Sequence, residues 1–158
     1  PDKMTPAVKA LERAKISFQV HEYAHDPRSV SYGLEAAEAL GLDPDSVFKT
    51  LLAQLESKEL VVAIIPVSHT LNLKSLAKAA RAKRAQMADP NDAQRSTGYV
   101  LGGISPFGQK KRLRTFVDTT ILARQRVHVS GGRRGLEIEI TPSDLITITQ
   151  ATAVAIAV

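Results

Sequence analysis

A glycine-rich stretch at residues 96–108 has the composition of a loop that binds a ligand through its backbone. Its glycines and their small or rigid neighbours are Gly102, Gly103, Ser105, Pro106 and Gly108. Such residues let a ligand approach the main chain, and glycine adopts φ angles that other residues resist. Exposed amide N–H groups at this kind of loop bind a carbonyl or phosphate oxygen, as in an oxyanion site. An ordinary tight turn has the same composition, so both interpretations stay open.

A single lysine, Lys49, interrupts an apolar run at residues 47–55. An ammonium buried without a partner is very costly, so this side chain either points to solvent or is held by a negative group. One face of a sheet often reaches solvent, so the residue pattern alone allows both orientations.

Two histidines and a tyrosine alternate at the end of a predicted strand. His21, Tyr23 and His25 would share one face, which raises the question of a metal site. No Asp or Glu at ligand spacing completes the set, and the chain has no cysteine. We therefore expect neither a metal site nor a cofactor.

The length of 158 residues predicts one domain, over residues 4–158. Residues 1–3 precede Met4 and are left out of this prediction. No apolar run approaches the roughly 20 residues of a membrane span, and the N-terminal residues lack the layout of a signal peptide. These features predict a cytoplasmic protein that does not bind membranes.

The formal net charge is +5, and the positive residues are clustered. They concentrate at residues 78–84, 95–114 and 133–134, as a surface that contacts phosphates requires. The first cluster is equally consistent with a solvated helix face. Aromatic residues make up only 4% of the chain, which argues against an extended platform for stacking bases.

Apolar periodicity and turn residues predict short helices mixed with short strands, an α+β fold. Helices are expected to begin at Thr5 and Thr141 and to cover residues 30–40 and 71–80. Strands are expected at residues 16–21, 47–55, 60–67, 99–101, 115–118, 127–129, 136–140 and 151–158, and a turn at 89–92.

Several separated motifs, in one order, resemble the YbaK branch of bacterial aminoacyl-tRNA editing proteins, which are cysteinyl-tRNA(Pro) deacylases. The motifs lie at residues 47–51, 87–90, 93–99, 102–106, 109–112 and 130–136. The resemblance implies a mixed, mostly antiparallel, barrel-like sheet with short flanking helices. It also implies tRNA as substrate, bound by its aminoacylated 3′ end, and prolyl-tRNA synthetase as a partner.

The same resemblance implies roles for individual residues. Catalytic roles fall to Lys49, Gly102 and Gly103, and substrate binding falls to Tyr23, Ser105, Pro106, Ser130 and Glu137. The tRNA backbone would be guided by Arg95, Lys110, Lys111, Arg112, Arg133 and Arg134. Glu137 departs from the family pattern, in which aspartate is commoner at this position.

The reaction implied by the resemblance uses the thiol of the attached cysteine, which attacks its own ester carbonyl and releases the tRNA. Lys49 would stabilise the thiolate or anchor the terminal phosphate or ribose, two roles that the sequence leaves open. Two alternatives also remain at this point. The protein could be a non-catalytic tRNA-binding or synthetase-associated module, or a deacylase for another small amino acid such as alanine, which has no thiol and needs an activated water.

Overall fold

Five short helices flank two β-sheets in the computed structural model of the protein, which describes residues 3–158. The helices are α1 (Pro6–Arg13), α2 (Tyr32–Ala39), α3 (Leu73–Ala79), α4 (Pro90–Thr97) and α5 (Pro142–Thr149). The strands are β1 (Gln19–Glu22), β2 (Phe48–Leu55), β3 (Leu60–Pro66), β4 (Ala85–Met87), β5 (Thr115–Asp118), β6 (Val127–Ser130), β7 (Leu136–Ile140) and β8 (Thr152–Val154). Pro1 and Asp2, part of the segment left out of the domain prediction, lie outside the described residues.

The strands form a five-stranded sheet, in the order β4-β2-β3-β5-β8, and a three-stranded sheet, in the order β1-β7-β6. The predicted hairpin is present as the antiparallel pair β2 and β3. Strand β5 lies parallel to both β3 and β8, and the remaining pairs of the described chain are antiparallel. The sheets meet at a bridge between Val47 and His128. The predicted α+β fold with a mixed, mostly antiparallel sheet is therefore confirmed.

Local signals place two helix starts correctly. The hydroxyl of Thr5 accepts a hydrogen bond from the amide of Val8, and that of Thr141 accepts one from Asp144, both at 3.3 Å. A proline follows each threonine and suits the first turn of a helix. The Thr5 hydroxyl also donates to the carbonyl of Gly131, so the start of α1 is tied to the β6–β7 hairpin.

Two local predictions are wrong. The turn expected at residues 89–92 is the start of α4, where Asp89 caps the helix by accepting from the amide of Asn91 at 2.8 Å. The strand expected at residues 99–101 does not form, because Tyr99 folds inward and its hydroxyl donates to the carbonyl of Phe107. Asp89 and Pro90 do mark a boundary between elements, as the sequence predicted. An aspartate before a proline, however, starts a helix as readily as a turn.

Apolar side chains fill both sides of the five-stranded sheet. On one side, the alternating residues of β7 and the inner faces of α1 and α5 are fully buried. The second cluster packs α3 against β2 and β3 and includes Leu76, Ile65 and Ile156. The apolar side chains of β7 point into this core. Glu137 and Glu139, which alternate with them, therefore lie on the other face of the three-stranded sheet. No helix within residues 3–158 is long and apolar enough to cross a membrane.

Asp118 ties the C-terminal segment to the sheet, and we expect Asp118→Ala to lower the free energy of unfolding by about 3 kcal/mol. Its carboxylate is 3% exposed and accepts the amides of Ile156 and Ala157, both at 2.9 Å, besides two hydrogen bonds from Thr120. Removing it leaves buried N–H groups unpaired. Urea unfolding at pH 7 measures the change, and Asp92→Ala, which breaks an exposed ion pair with Arg95, is the control.

The pH dependence of this contribution has a defined sign. Burial raises the pKa of Asp118, but the hydrogen bonds to its carboxylate outweigh burial and hold the pKa below its ordinary value of 3.8. The stabilisation is therefore present above about pH 3.8 and is lost as the pH falls through the lower folded value. A loss of stability in Asp118→Ala no larger than that in the control would contradict this account.

Candidate active site

A cavity of about 360 Å³ opens where β2, the β6–β7 hairpin and the start of α2 converge. Its volume lies in the range of small-molecule binding sites. It is lined by Tyr23, residues 30–33, residues 47–51, Val67, Leu101, Gly102, Ile104, Ser130 and Glu137. Five of the residues predicted from the sequence therefore come together here: Tyr23, Lys49, Gly102, Ser130 and Glu137.

Lys49 lies near the start of β2 and lines the cavity. It is half-buried, and burial lowers its pKa from the ordinary lysine value. No carboxylate among residues 3–158 lies within ion-pair distance of it. The lysine therefore faces the cavity and is not held by a carboxylate, which was one of the two arrangements considered from the sequence.

Gly33 allows α2 to pack closely against Val67 beside this lysine. A Cβ atom at Gly33 would lie 2.3 Å from Cγ1 of Val67, and 4.0 Å from Cβ of Lys49. A larger residue would push α2 away from Val67, which follows β3 and also lines the cavity. Glycine inside a helix costs about 1 kcal/mol relative to alanine, so its presence in α2 was a signal of close approach that the sequence interpretation missed.

Glu137 lies on the buried polar face of β7. It is 6% exposed, and its Oε2 atom has no hydrogen-bond partner in the described part of the chain. Strand register pairs it with His21 on β1 and with Ser130 on β6, which places all three on one face of the sheet. Burial raises the pKa of Glu137 to about 8, so the carboxyl group holds a proton at neutral pH.

Tyr23 and Ser130 complete the polar wall. The backbone amide of Tyr23 donates to the carbonyl of Gly135 at 3.0 Å, which fixes the residue just beyond the end of β1. Burial raises the pKa of the Tyr23 phenol, so it stays protonated and can donate a hydrogen bond. The hydroxyl of Ser130 accepts from the amide of Gly132 at 3.1 Å, within the turn between β6 and β7.

The glycine-rich loop contributes only one of its four predicted site residues, Gly102, to the cavity lining. Gly102 lines the cavity with φ +86°, and a Cβ there would lie 2.6 Å from the ring of Tyr32. The amide of Gly103 instead donates to the carbonyl of Val100 at 2.9 Å, so this donor is already used. Ser105 and Pro106 are buried and do not line the cavity. In the described structure, Gly103, Ser105 and Pro106 belong to the loop but do not line the cavity.

Close packing explains why Gly103 is glycine. A Cβ atom there would lie 2.8 Å from Cα of Arg133, a backbone atom that cannot rotate away. The loop at residues 102–108 and the β6–β7 hairpin therefore pack main chain against main chain. This contact brings Arg133 and Arg134 beside the cavity.

The predicted tRNA-binding cations fall into two groups. Arg134 lies beside the cavity, with its guanidinium 3.7 Å from the centroid of the Tyr32 ring and 3.0 Å from Nε2 of His25. Arg133 bonds to Glu22 at 3.1 Å. The other predicted cations are exposed and do not line the cavity: Arg95, Lys110, Lys111 and Arg112. Their position on the outer surface suits contacts with a large ligand.

Thr50 is a cavity residue that the sequence interpretation missed. Its hydroxyl is buried and has no hydrogen-bond partner within residues 3–158. Threonine is common in strands for packing reasons, so nothing in the sequence distinguished it. Buried polar atoms are nearly always paired in folded proteins, so the free hydroxyl of Thr50 and the free oxygen of Glu137 indicate a site prepared for a polar ligand.

Sequence and structure comparisons show which known proteins this chain is similar to. Residues 29–148 match the family model of the aminoacyl-tRNA editing domain. The chain is 34% identical over 145 residues to the Enterococcus faecalis protein EbsC, which is named as a Cys-tRNA(Pro)/Cys-tRNA(Cys) deacylase, and the match covers 92% of this chain and 88% of that protein.

Two solved structures share the fold. One is described as a trans-editing enzyme for prolyl-tRNA synthetase, with TM-score 0.87, 23% identity and coverage of 100% of this chain and 98% of that one. The other comes from work on grafting epitopes onto scaffold proteins, with TM-score 0.88, 21% identity and the same coverage. The family match and the Enterococcus relative together show that this chain belongs to the aminoacyl-tRNA editing domain family.

Proposed function

We propose that this protein deacylates Cys-tRNA(Pro), using the thiol of the misattached cysteine as the nucleophile. The observation that carries the proposal is the meeting of Lys49 and Glu137 in one cavity, in a chain of the editing family. The Enterococcus relative named for this activity supports the choice of substrate. A synthetase pocket gains only about 1–3 kcal/mol from a methylene-sized difference, so a separate site that destroys the error is useful.

The chemistry balances without a cysteine in the protein. The thiol of the substrate gives its proton to Lys49, and the sulfur attacks the ester carbonyl, so that a C–S bond forms and the C–O bond to the ribose breaks. The proton passes from Lys49 to the departing ribose oxygen, and water then opens the thiolactone to free cysteine. A free thiol has a pKa of about 8.5, so a cation that stabilises the thiolate raises its reactive fraction.

The remaining cavity residues position the substrate. The backbone amide of Gly102 is the donor for the carbonyl oxygen, where negative charge develops. Glu137 receives the α-amino group, whose positive charge favours loss of the carboxyl proton. Tyr23, Ser130 and Thr50 hold the remaining polar atoms. Gly103, Ser105 and Pro106 support the loop that carries Gly102.

The aminoacylated 3′ end of tRNA is the ligand of the cavity, and Arg133 and Arg134 beside it meet the terminal phosphates. The exposed cations contact the tRNA backbone, which every tRNA shares. Recognition of proline tRNA therefore falls to prolyl-tRNA synthetase, which we propose as a partner, and the activity belongs to the cytoplasm, where both are found.

Three substrates test the proposal: Cys-tRNA(Pro), the same ester with an S-methylated cysteine, and Ala-tRNA(Pro). We expect at least a hundredfold faster loss of the free-thiol ester, measured as acid-precipitable label. The S-methyl group removes the nucleophile while leaving the ester, the α-amino group and nearly all of the side chain in place. It is therefore the matched control for the thiol.

Equal loss of the S-methyl ester would contradict the thiol mechanism and favour an activated water. Faster loss of Ala-tRNA(Pro) would make alanine the substrate. Tight tRNA binding without loss of any ester would make the protein a non-catalytic module.

A further inference from the structure

A second polar cluster lies on the three-stranded sheet and does not line the cavity. It consists of His21 on β1, His128 on β6 and Glu139 on β7. Strand register places His128 directly opposite Glu139, and His21 opposite Glu137, two residues along the same strand. Residues at these positions share one face of a sheet, so β1, which is distant in sequence, brings His21 to the same point as His128 and Glu139 of the β6–β7 hairpin.

The ligand-type atoms of this cluster converge. Nε2 of His21 lies 2.7 Å, and Nε2 of His128 3.5 Å, from the same oxygen, Oε1 of Glu139. All three atoms lie within 4.8 Å of one another. Tetrahedral zinc, with bonds of about 2.0–2.2 Å to nitrogen and oxygen, needs ligand atoms about 3.4 Å apart. Small side-chain rotations would therefore create a three-ligand site.

Arg126 orients the carboxylate of this cluster. Its Nε atom donates to Oε2 of Glu139 at 2.5 Å, which leaves Oε1 facing the two histidines. Hydrogen bonds of this kind from outside the ligand set fix the geometry of metal-binding carboxylates. The side chain of Glu139 is 17% exposed and that of His21 36%, so the site is built into the sheet and is open to solvent on one side.

The ion pair with Glu139 does not by itself explain why the imidazole of His128 is buried. The residue is 8% exposed, its Nδ1 atom is buried without a partner in the described part of the chain, and its Nε2 atom is farther from Glu139 than an ordinary N–H···O bond of about 2.9–3.0 Å. A buried imidazole without a good hydrogen bond is costly. A cation bound at Nε2 would give this imidazole a strong partner on that side, while Nδ1 would stay unpaired within the described residues.

We propose that His21, His128 and Glu139 bind one zinc ion, with a fourth position open to water. Imidazole with carboxylate is a donor set that suits zinc, and three protein ligands leave one position for solvent. The ion would tie the four-residue edge strand β1 to β6 and β7. This proposal departs from the expectation of no metal site, because the carboxylate comes from a strand more than a hundred residues along the chain.

Zinc titration of the tag-free, chelator-treated protein tests this site. We expect one equivalent of zinc to bind, measured by competition with a chromogenic chelator, and cobalt to give the intense visible absorption of a tetrahedral site. His21→Ala and Glu139→Gln are each expected to weaken binding at least tenfold. Zinc is also expected to raise the melting temperature of the wild type and not of these variants.

His69→Ala is the matched control, since the imidazole of His69 bonds to Ser68 and lies outside the cluster. Circular dichroism establishes that each variant is folded. Failure to bind zinc with stoichiometry one, or equal weakening by His69→Ala, would overturn the proposal. Both readouts are independent of deacylation, so a failure here is distinguishable from a failure of the proposed activity.

Discussion

Lys49→Ala is expected to lower kcat/KM for Cys-tRNA(Pro) by about 10²–10³, the effect of removing one preorganised charged or donor group from an active site. The half-buried amine lines the cavity, and no carboxylate within residues 3–158 neutralises it. Removal leaves the substrate thiol without a proton acceptor and without a cation to stabilise the thiolate. Single-turnover deacylation with saturating enzyme measures the loss.

Two further variants separate a role in the chemistry from a role in binding tRNA. Lys49→Arg keeps a cation but has a pKa too high to pass a proton, so we expect it to recover tRNA affinity and little of the rate. Lys74→Ala removes an exposed lysine of α3 and is the control for general electrostatics. A Lys49→Ala variant that keeps its saturated rate and loses only affinity would contradict a catalytic role and favour anchoring of phosphate or ribose.

Glu137→Gln is expected to make the protein more stable than the wild type above about pH 8, with no such gain at pH 4. Burial raises the pKa of this carboxyl from 4.5 to about 8, so between these values the folded state binds more protons than the unfolded state. The stability of the wild type therefore falls as the pH rises through this window. At about 1.36 kcal/mol per pKa unit, the fall amounts to about 3–5 kcal/mol.

Urea unfolding of both proteins at pH 4, 7 and 9 measures this difference. Glutamine has nearly the shape of the protonated acid and does not ionise, so it isolates the titration from the packing. Glu38→Gln, at an exposed position of α2, is the control and should show no comparable trend. A difference between Glu137→Gln and wild type that does not change with pH would mean that Glu137 is ionised throughout, through a charge pair with Lys49.

The same substitution has a functional readout. If Glu137 binds the α-amino group of the substrate as a carboxylate, Glu137→Gln should raise KM more than it lowers kcat. Aspartate is one methylene shorter but keeps the carboxylate that pairs with the α-amino group, whereas glutamine loses the negative charge. Glu137→Asp is then expected to retain more activity than Glu137→Gln.

Features that depend on a few neighbouring residues were predictable from the sequence. The starts of α1 and α5 follow from a threonine that caps the helix and a proline beside it. The alternation in β7 predicts which side chains enter the core, and the apolar runs of β2 and β3 predict the hairpin. One motif of the family resemblance contains Lys49, and the resemblance also implies a role for Glu137, which directly follows another motif; both residues line the cavity.

Only the tertiary structure decided which members of each motif line the cavity. Gly102 lines the cavity and Gly103 packs on Arg133, although the two are adjacent and chemically identical. Likewise, the carboxylate missing near His21 is Glu139, 118 residues away. Caps and periodicities arise from contacts within about one helical turn, whereas strand register and loop packing depend on pairing between distant segments, which no local pattern encodes.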